Sequence, residues 1–592
     1  MKKFISNNIF KELIRKGPIL LNIFAIIAII YDFGFIQNRS TELFLDSLYI
    51  LTLSTGIFFT IARDIHTEVR PPFKAVVFDI LSIIFFILVI LGRLPSLQHY
   101  YLIQPFSGQG WLYAAVVLAF VRELLDLNLD LSRTYLNPAQ LFIASFLGII
   151  VIGALLLMLP NATYEGISFI DAIFTSTSAV CVTGLIVVDT GSYFTLFGQV
   201  IIIALIQIGG LGIMTFASYF SYFFRGDTSY KNQLMLSDMT TSNKLGEVFG
   251  TLKSIIITTL SIEIIGAILI FSYLDRTTID GYLNQVFFSV FHSISAFCNA
   301  GFSTMSESLF DVGFRFNYPL QLTIIFLFVI GGLGFPIVFN LLKYLRYLIS
   351  ERLIPSIRKS DRNPHVIPWV INLNTRIVII TTLTLLVLGS ATVFFFEYNN
   401  SLAEHNSFGK IVTSLFTAAT PRTAGFNTVD MTNLRFSTIM LIFLLMWVGA
   451  SPGSTGGGIK TNTFAIATLN FWSLARGKER IELFRREIAD ISVHRSFAII
   501  SLSLVIIGAG VFLIASFDSE KDLLSIAFEC FSAYSTVGLS LGITSALSIP
   551  SKLVIIAIMF IGRVSMLSIM IALIRKVKHK NYRYPTEEVL IN

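Results

Sequence analysis

The stretch Thr175–Leu185, "TSTSAVCVTGL", sets small and hydroxylated residues ahead of a Thr-Gly pair between two long apolar runs. Backbone that leaves the helix at membrane depth exposes carbonyls to hydrocarbon, at a cost of several kcal/mol per group unless protein, water or an ion meets them. The rest of the chain is built for lipid: of 592 residues, 54% are hydrophobic and 13% charged, outside the usual range for a soluble domain. Runs such as "QLTIIFLFVIGGLGFPIVFNLL" (321–342) carry no charge and are long enough to cross a core of about 30 Å.

The same text returns three times, as "HSISAFCNAGF" (292–302), "LFTAATPRTAGF" (415–426) and "FSAYSTVGL" (531–539). The glycines Gly184, Gly301, Gly425 and Gly538 stand 117, 124 and 113 residues apart, a period far longer than a soluble solenoid repeat. Each unit reads as a first long span (M1), a short re-entrant segment (P), the glycine loop and a second long span (M2). The M1 spans are expected near 139–159, 251–273, 374–396 and 495–516, and the P segments near 169–179, 284–296, 408–419 and 521–533, too short to cross alone. The M2 spans are expected near 194–218, 318–345, 436–470 and 550–574, with glycine-bearing midpoints at 209–212, 331–334, 449–458 and 561–563.

Four more apolar spans, near 19–36, 43–62, 73–92 and 109–127, precede the repeats and bring the count to twelve crossings. The fold expected is therefore an all-α polytopic membrane protein, with four M1-P-M2 repeats around one pore behind an extension of about four helices. Its parts are the extension (1–135), repeats at 136–225, 245–347, 370–475 (with a broken M2) and 493–578, and a tail at 579–592. The basic opening segment shows no cleavage site for a signal peptide. Lys and Arg gather between repeats, at Arg225, Lys231 and Lys244, then Lys343 to Arg362, then Arg476 to Arg486, whereas Asn161–Phe194 has neither. Positive-inside topology then puts both termini in the cytoplasm and brings all four loops in from outside. The same confinement accounts for the net charge of +7 without a nucleic acid. Three cysteines without CxxC spacing and seven histidines without HExxH indicate neither a disulfide framework nor a metal site.

Four glycine loops around one axis would line a path with rings of carbonyls that replace an ion's hydration shell. The expected filter residues are Val182, Thr183 and Gly184; Asn299, Ala300 and Gly301; Thr423, Ala424 and Gly425; and Thr536, Val537 and Gly538. Helix packing is the plain alternative for a membrane glycine, and fourfold recurrence at one position weighs against it. Asp171 at the start of the first P segment would leave the negative dipole end facing the pore, favouring a cation. Below the filter, Gly453, Ser454, Thr455, Gly456, Gly457 and Gly458 cannot hold a regular helix at low cost and are expected to form a gate with Arg563, whose charge in an apolar span calls for an interior partner. Lys460 reads equally as part of that gate or as a topology residue. The charges Asp32, Asp46, Asp79, Arg93, Arg122, Glu123 and Asp126 in the extension lack the every-third-residue Arg pattern of a voltage sensor and read as pairs between helices.

With "SPGSTGGGIKT" (451–461) and "MFIGR" (559–563) added, these motifs resemble the potassium-translocating subunits of the Trk/Ktr/HKT superfamily, most like its bacterial TrkH/KtrB branch, over about residues 137–575. The resemblance implies K⁺ uptake across the cell inner membrane through a homodimer with one pore per subunit. It also implies a gate at the broken third M2 and a cytosolic nucleotide-binding ring, TrkA/KtrA-like, as partner. K⁺ is the ion carried, with Na⁺ a candidate activator and no cofactor held by the chain. In that family glycine in all four loops goes with K⁺ preference and serine in the first with Na⁺; all four are glycine here. By position and by resemblance, Arg422 would brace the third loop from behind. The sequence departs from the pattern in "VSMLSIM" after Arg563 and in the four extra spans. Alternatives are a sodium or poorly selective transporter of the same fold and, more remotely, a secondary transporter of a small organic solute. Nothing supports an enzyme.

Overall fold

The computed structural model describes residues 2–66, 73–94, 100, 104–125, 138–212, 248–275, 278–347, 371–478 and 480–564. The inter-repeat basic residues Arg225, Lys231, Lys244, Arg352, Arg358, Lys359 and Arg362, the lower half of the fourth M2 and the tail at 579–592 lie outside the described residues. Eighteen α-helices make up nearly all regular structure described.

Four helices, α1 (Lys2–Gly34), α2 (Arg39–His66), α3 (Phe73–Gly92) and α4 (Gln109–Leu125), form an N-terminal bundle around Leu45, Tyr49, Leu53, Phe86, Val89, Leu112 and Val116. Of the charges expected to pair between helices, Arg122 Nε meets Asp79 at 2.8 Å, Arg93 meets Asp46 at 3.6 Å, and Asp32 accepts from the Tyr113 hydroxyl at 2.7 Å, whereas Glu123 meets Arg122 on its own helix and Asp126 lies outside the described residues. Pairing offsets the cost of each charge in hydrocarbon. The bundle touches the rest of the protein through α1, where Asn161 Nδ2 donates to the Phe33 carbonyl at 3.0 Å and the Phe33 and Phe197 rings stack at 5.7 Å.

After the bundle a long helix, a shorter one, a loop and a further helix follow each other four times. The long helices are α5 (Pro138–Leu157), α8 (Val248–Tyr273), α12 (Leu373–Glu397) and α16 (Asp490–Phe517). The short ones are α6 (Phe169–Val180), α9 (Tyr282–Phe297), α13 (Ser407–Ala419) and α17 (Leu523–Ser535), of 12, 16, 13 and 13 residues; at 1.5 Å per residue they reach roughly 18–24 Å, short of a full crossing. Three start where a side chain caps them: Ser168 accepts from Asp171 N, Asn406 from Gly409 N and Asp522 from Ser525 N. Asp171 also pairs with Lys552 at 2.7 Å, tying the last stretch to the first.

The final helices of the four stretches are α7 (Leu196–Gly210), the pair α10 (Tyr318–Leu333) and α11 (Phe335–Tyr347), the pair α14 (Phe436–Trp447) and α15 (Thr461–Ala475), and α18 (Ile549–Val564). Each long helix packs on its own short helix, and α7, α10, α14 and α18 pack on α9, α13, α17 and α6, so the contacts run round and close. A two-residue hairpin, Glu482–Leu483 with Arg486–Glu487, precedes α16.

The second M2, expected as one span over 318–345, is instead bent by 105° between α10 and α11. Gly334 takes φ +79° there and Pro336 has no N–H for the ladder, so the helix restarts in a new direction. Five described segments are long and apolar enough to cross a membrane: Gly17–Gly34, Arg39–Ala62, Lys253–Tyr273, Leu373–Glu397 and Asp490–Phe517, with α10–α11 a sixth if taken as one broken span. The other apolar helices described, among them Ile143–Leu157, Leu196–Gly210 and Phe436–Trp447, offer apolar stretches of 10–17 residues.

Candidate ion pathway

Shortly after each short helix comes a residue in left-handed backbone: Val182 (φ 56°), Asn299 (61°), Thr423 (73°) and Thr536 (50°). One residue later comes backbone of ordinary sign, then a glycine with φ 90°, 71°, 81° and 89° at Gly184, Gly301, Gly425 and Gly538. Alternating signs of φ let successive carbonyls face one side, the arrangement that carbonyl coordination of an ion needs. A side chain is excluded at the glycines by the neighbouring loop as well as by φ. A Cβ on Gly184 would stand 2.3 Å from the Ala300 oxygen, on Gly301 2.8 Å from that of Ala424, on Gly425 2.4 Å from that of Val537, and on Gly538 2.3 Å from that of Thr183. The four loops are thus a closed ring, each glycine against the carbonyl of the next.

Left-handed backbone also fixes the register. Asn299, Thr423 and Thr536 share a position with Val182, not with Thr183, which aligns with Ala300, Ala424 and Val537. The first loop therefore has an apolar side chain where the other three are polar. On the P-helix side, Gly184 N donates to Ser178 Oγ and Gly538 N to Ser532 Oγ, both at 3.1 Å, while Ser295 and Thr420 hydroxyls donate to the Phe302 and Phe426 carbonyls at 2.7 and 2.5 Å. Arg422 is buried and reaches away from the glycines, to Thr382 at 3.5 Å and the Gly449 carbonyl at 3.4 Å.

Beneath the ring lies the interruption between α14 and α15, its ends joined by a parallel bridge of Val448 and Ile459. Thr455 Oγ1 donates to Asn299 Oδ1 at 3.0 Å, Asn299 Nδ2 to Thr423 Oγ1 at 3.3 Å, and Gly457 N to Thr536 Oγ1 at 2.9 Å. The segment is therefore bonded directly to Asn299 and Thr536, just past the ends of two short helices, and through Asn299 to Thr423 of a third. Lys460 Nζ donates to the Gly456 carbonyl at 2.5 Å, and Arg563 donates to the carbonyls of Thr455 and Gly209. The bend at Gly334 docks on the same segment: Phe335 N donates to Gly453 O at 3.3 Å and Ser451 N to Gly332 O at 3.0 Å. Gly453 and Ser454 sit at that contact rather than under the ring.

Above the ring opens a cavity of about 560 Å³ floored by all four glycines. Asp189, Glu307 and Asp430 line it, without a Lys or Arg among the lining residues, so its field attracts cations. In the loop between α12 and α13, burial first, then Arg315 and Lys410, hold the His405 imidazole below its ordinary pKa, with Tyr318 OH 3.2 Å from Nδ1. Sequence reasoning passed over these three carboxylates, the second break, and the burial of His292 and Glu529 behind the loops; counting residues from each glycine was the signal that would have found the last two.

A family model described as a cation transport protein, TrkH, matches residues 114–583. The chain belongs to the TrkH family. It is 38% identical to the Ktr system potassium uptake protein B of Bacillus subtilis, over 76% of this chain and 96% of that one. It is 32% identical to the potassium/sodium uptake protein NtpJ of Enterococcus hirae, over 78% and 98%. Among solved structures it resembles the potassium transporter TrkH from Vibrio parahaemolyticus, with a TM-score of 0.57, 16% identity and coverage of 90% and 97%, a likeness of fold. The family is one of transport proteins, not enzymes, and the family match leaves out α1–α3.

Proposed function

We propose that this chain takes up potassium across the cell inner membrane, as four M1-P-M2 repeats around one pore, with both termini cytoplasmic. The observation that carries the reading is the closed ring of four glycine loops at the floor of an acid-lined cavity. The candidate filter consists of Val182 to Gly184, Asn299 to Gly301, Thr423 to Gly425 and Thr536 to Gly538. Carbonyl coordination there strips the ion of water, and the carboxylates above raise its local concentration. The candidate gate is the segment Gly453 to Gly458 with Lys460 and Arg563: its hydrogen bonds to the loop ends and to Arg563 hold it across the path, and their release opens it. A homodimer, a cytosolic nucleotide-binding ring as regulator and Na⁺ as activator complete the reading as the family resemblance implies, and the word "system" in the names of the Ktr relatives fits a chain that works with further subunits.

A potassium/sodium transporter is the second reading, favoured by the printed name of the Enterococcus relative. One assay decides between them: ⁸⁶Rb⁺ uptake by the purified chain in proteoliposomes, with Na⁺ and K⁺ as competitors. Competition by K⁺ at far lower concentration than by Na⁺ is expected. Equal competition would favour the second reading, and absence of ⁸⁶Rb⁺ flux in chain reconstituted with its cytosolic partner would overturn both.

A further inference from the structure

Counting from the loop glycine aligns Thr175, His292, Phe416 and Glu529 nine residues upstream, and Ile186, Ser303, Asn427 and Ser540 two residues downstream. In the second and fourth loops, which are not neighbours in the ring, these two positions are hydrogen-bonded to each other. His292 Nδ1 lies 2.9 Å from the Phe288 carbonyl and Nε2 2.9 Å from Ser303 Oγ. A carbonyl only accepts, so in the neutral ring Nδ1 carries the proton, Nε2 is the acceptor, and the Ser303 hydroxyl donates to it. In the fourth loop the Ser540 hydroxyl donates to Glu529 Oε1, and Thr544 Oγ1 donates to Oε2 at 3.0 Å. The match extends one step further: Met305 N donates to Ser303 Oγ at 3.0 Å and Gly542 N to Ser540 Oγ at 2.8 Å, in each case from four residues past the glycine.

Both serines thereby have the same polarity. The hydroxyl proton is drawn back to a wholly buried acceptor, and one lone pair takes a backbone N–H; the other is left over at Ser303, and also at Ser540, where Thr544 Oγ1 stands 3.0 Å away, when Thr544 gives its single proton to Glu529. Ser303 and Ser540 line the cavity above the ring, whereas His292 and Glu529 are 0% exposed. A serine free to rotate would turn its proton toward an approaching cation part of the time. Here the rotor is fixed with oxygen as the available end. The first and third loops, with Ile186 and Asn427, have no such relay.

We infer that His292 and Glu529 are positioning residues that hold the Ser303 and Ser540 oxygens as acceptors for a monovalent cation, making a recognition step at the outer mouth before the glycine ring. This rests on the reading of the four loops as a cation filter. The test is the concentration dependence of K⁺-driven flux by the full-length protein in proteoliposomes, for His292→Phe, Glu529→Leu, Ser540→Ala and the conservative Glu529→Gln. Phe is the residue of the third loop at the aligned position, so His292→Phe suits the register. Loss of either acceptor is expected to raise the half-saturating K⁺ concentration about fivefold, with maximal flux within about twofold of the parent. Glu529→Gln retains an acceptor oxygen and is expected to shift it less. A merely structural role would lower maximal flux and leave half-saturation in place, and that outcome overturns the inference. Should Glu529→Leu fail to fold, Ser540→Ala removes the cavity-facing oxygen itself while leaving the buried carboxylate in place with its Thr544 donor, and an unshifted half-saturation there overturns it equally. Gly538→Ser is run in parallel. If it alters K⁺/Na⁺ preference while the relay variants behave as the parent, only the relay fails; if it alters nothing, the filter reading fails and the relay with it.

Discussion

The loop glycines show how far one atom matters. With φ near +90° at Gly184 and Gly538, and a neighbouring carbonyl 2.3 Å from any Cβ, a side chain must displace the ring's own oxygens, which cost strain and change which of them meet the ion. Gly184→Ser and Gly538→Ser are each expected to reduce K⁺ preference over Na⁺, measured as rescue of a K⁺-uptake-deficient bacterium on low K⁺ with and without added Na⁺. Undiminished growth with both would remove these glycines from the filter. The glycines were legible from the sequence because they recur, and counting back from them aligns Val182 with Asn299, Thr423 and Thr536; that these four take left-handed backbone was not, because that conformation is set by how each loop closes. Asn299 and Thr455 are 156 residues apart, and no local pattern announces such a contact.

At the scale of elements, the proposed control rests on the interrupted helices. The expectation of a single broken M2 came from "GASPGSTGGG", a composition no helix tolerates; the bend at Gly334 stands in "GGLGFP", which reads as a continuous apolar run until Pro336 is weighed. Since the bend donates to and accepts from the segment below the ring, the two breaks move together or not at all. Arg563 fastens the segment to Gly209 across the path. Arg563→Ala is therefore expected to raise K⁺ flux several-fold while K⁺/Na⁺ preference, set above, changes little; flux and reversal potential recorded on the same proteoliposomes would show it. Deleting Gly456 to Gly458 acts in the same direction, since these residues pack on Thr423, Thr536 and Ser535. Unaltered flux in a deletion that inserts normally would make the interruption a structural feature and put the gate elsewhere.

Across the whole molecule, the N-terminal bundle has its own core and reaches the remainder mainly through α1 and the loop after α5. Removal of residues 2–125 is expected to leave K⁺/Na⁺ preference unchanged in the same competition assay; a lost preference would mean that the bundle shapes the ring. Neither a P-loop nor a G-x-G-x-x-G after a strand occurs in the sequence, so nucleotide control is expected to arrive with a separate soluble protein. Affinity purification from the native membrane should retain such a partner, whereas nucleotide-dependent flux by the chain alone would contradict this. The sequence by itself determined the helical membrane class and the fourfold recurrence of the glycine-loop text, because apolar length, charge asymmetry and recurrence are properties of local text that lipid and backbone sterics enforce directly. Only the tertiary structure decided that the loops close into a ring, that the third interruption bonds to Asn299 and Thr536 from two other units, and that His292 and Glu529 meet Ser303 and Ser540. Those contacts arise when separate helices converge on a common centre, and the distance between their partners along the chain leaves no periodic trace.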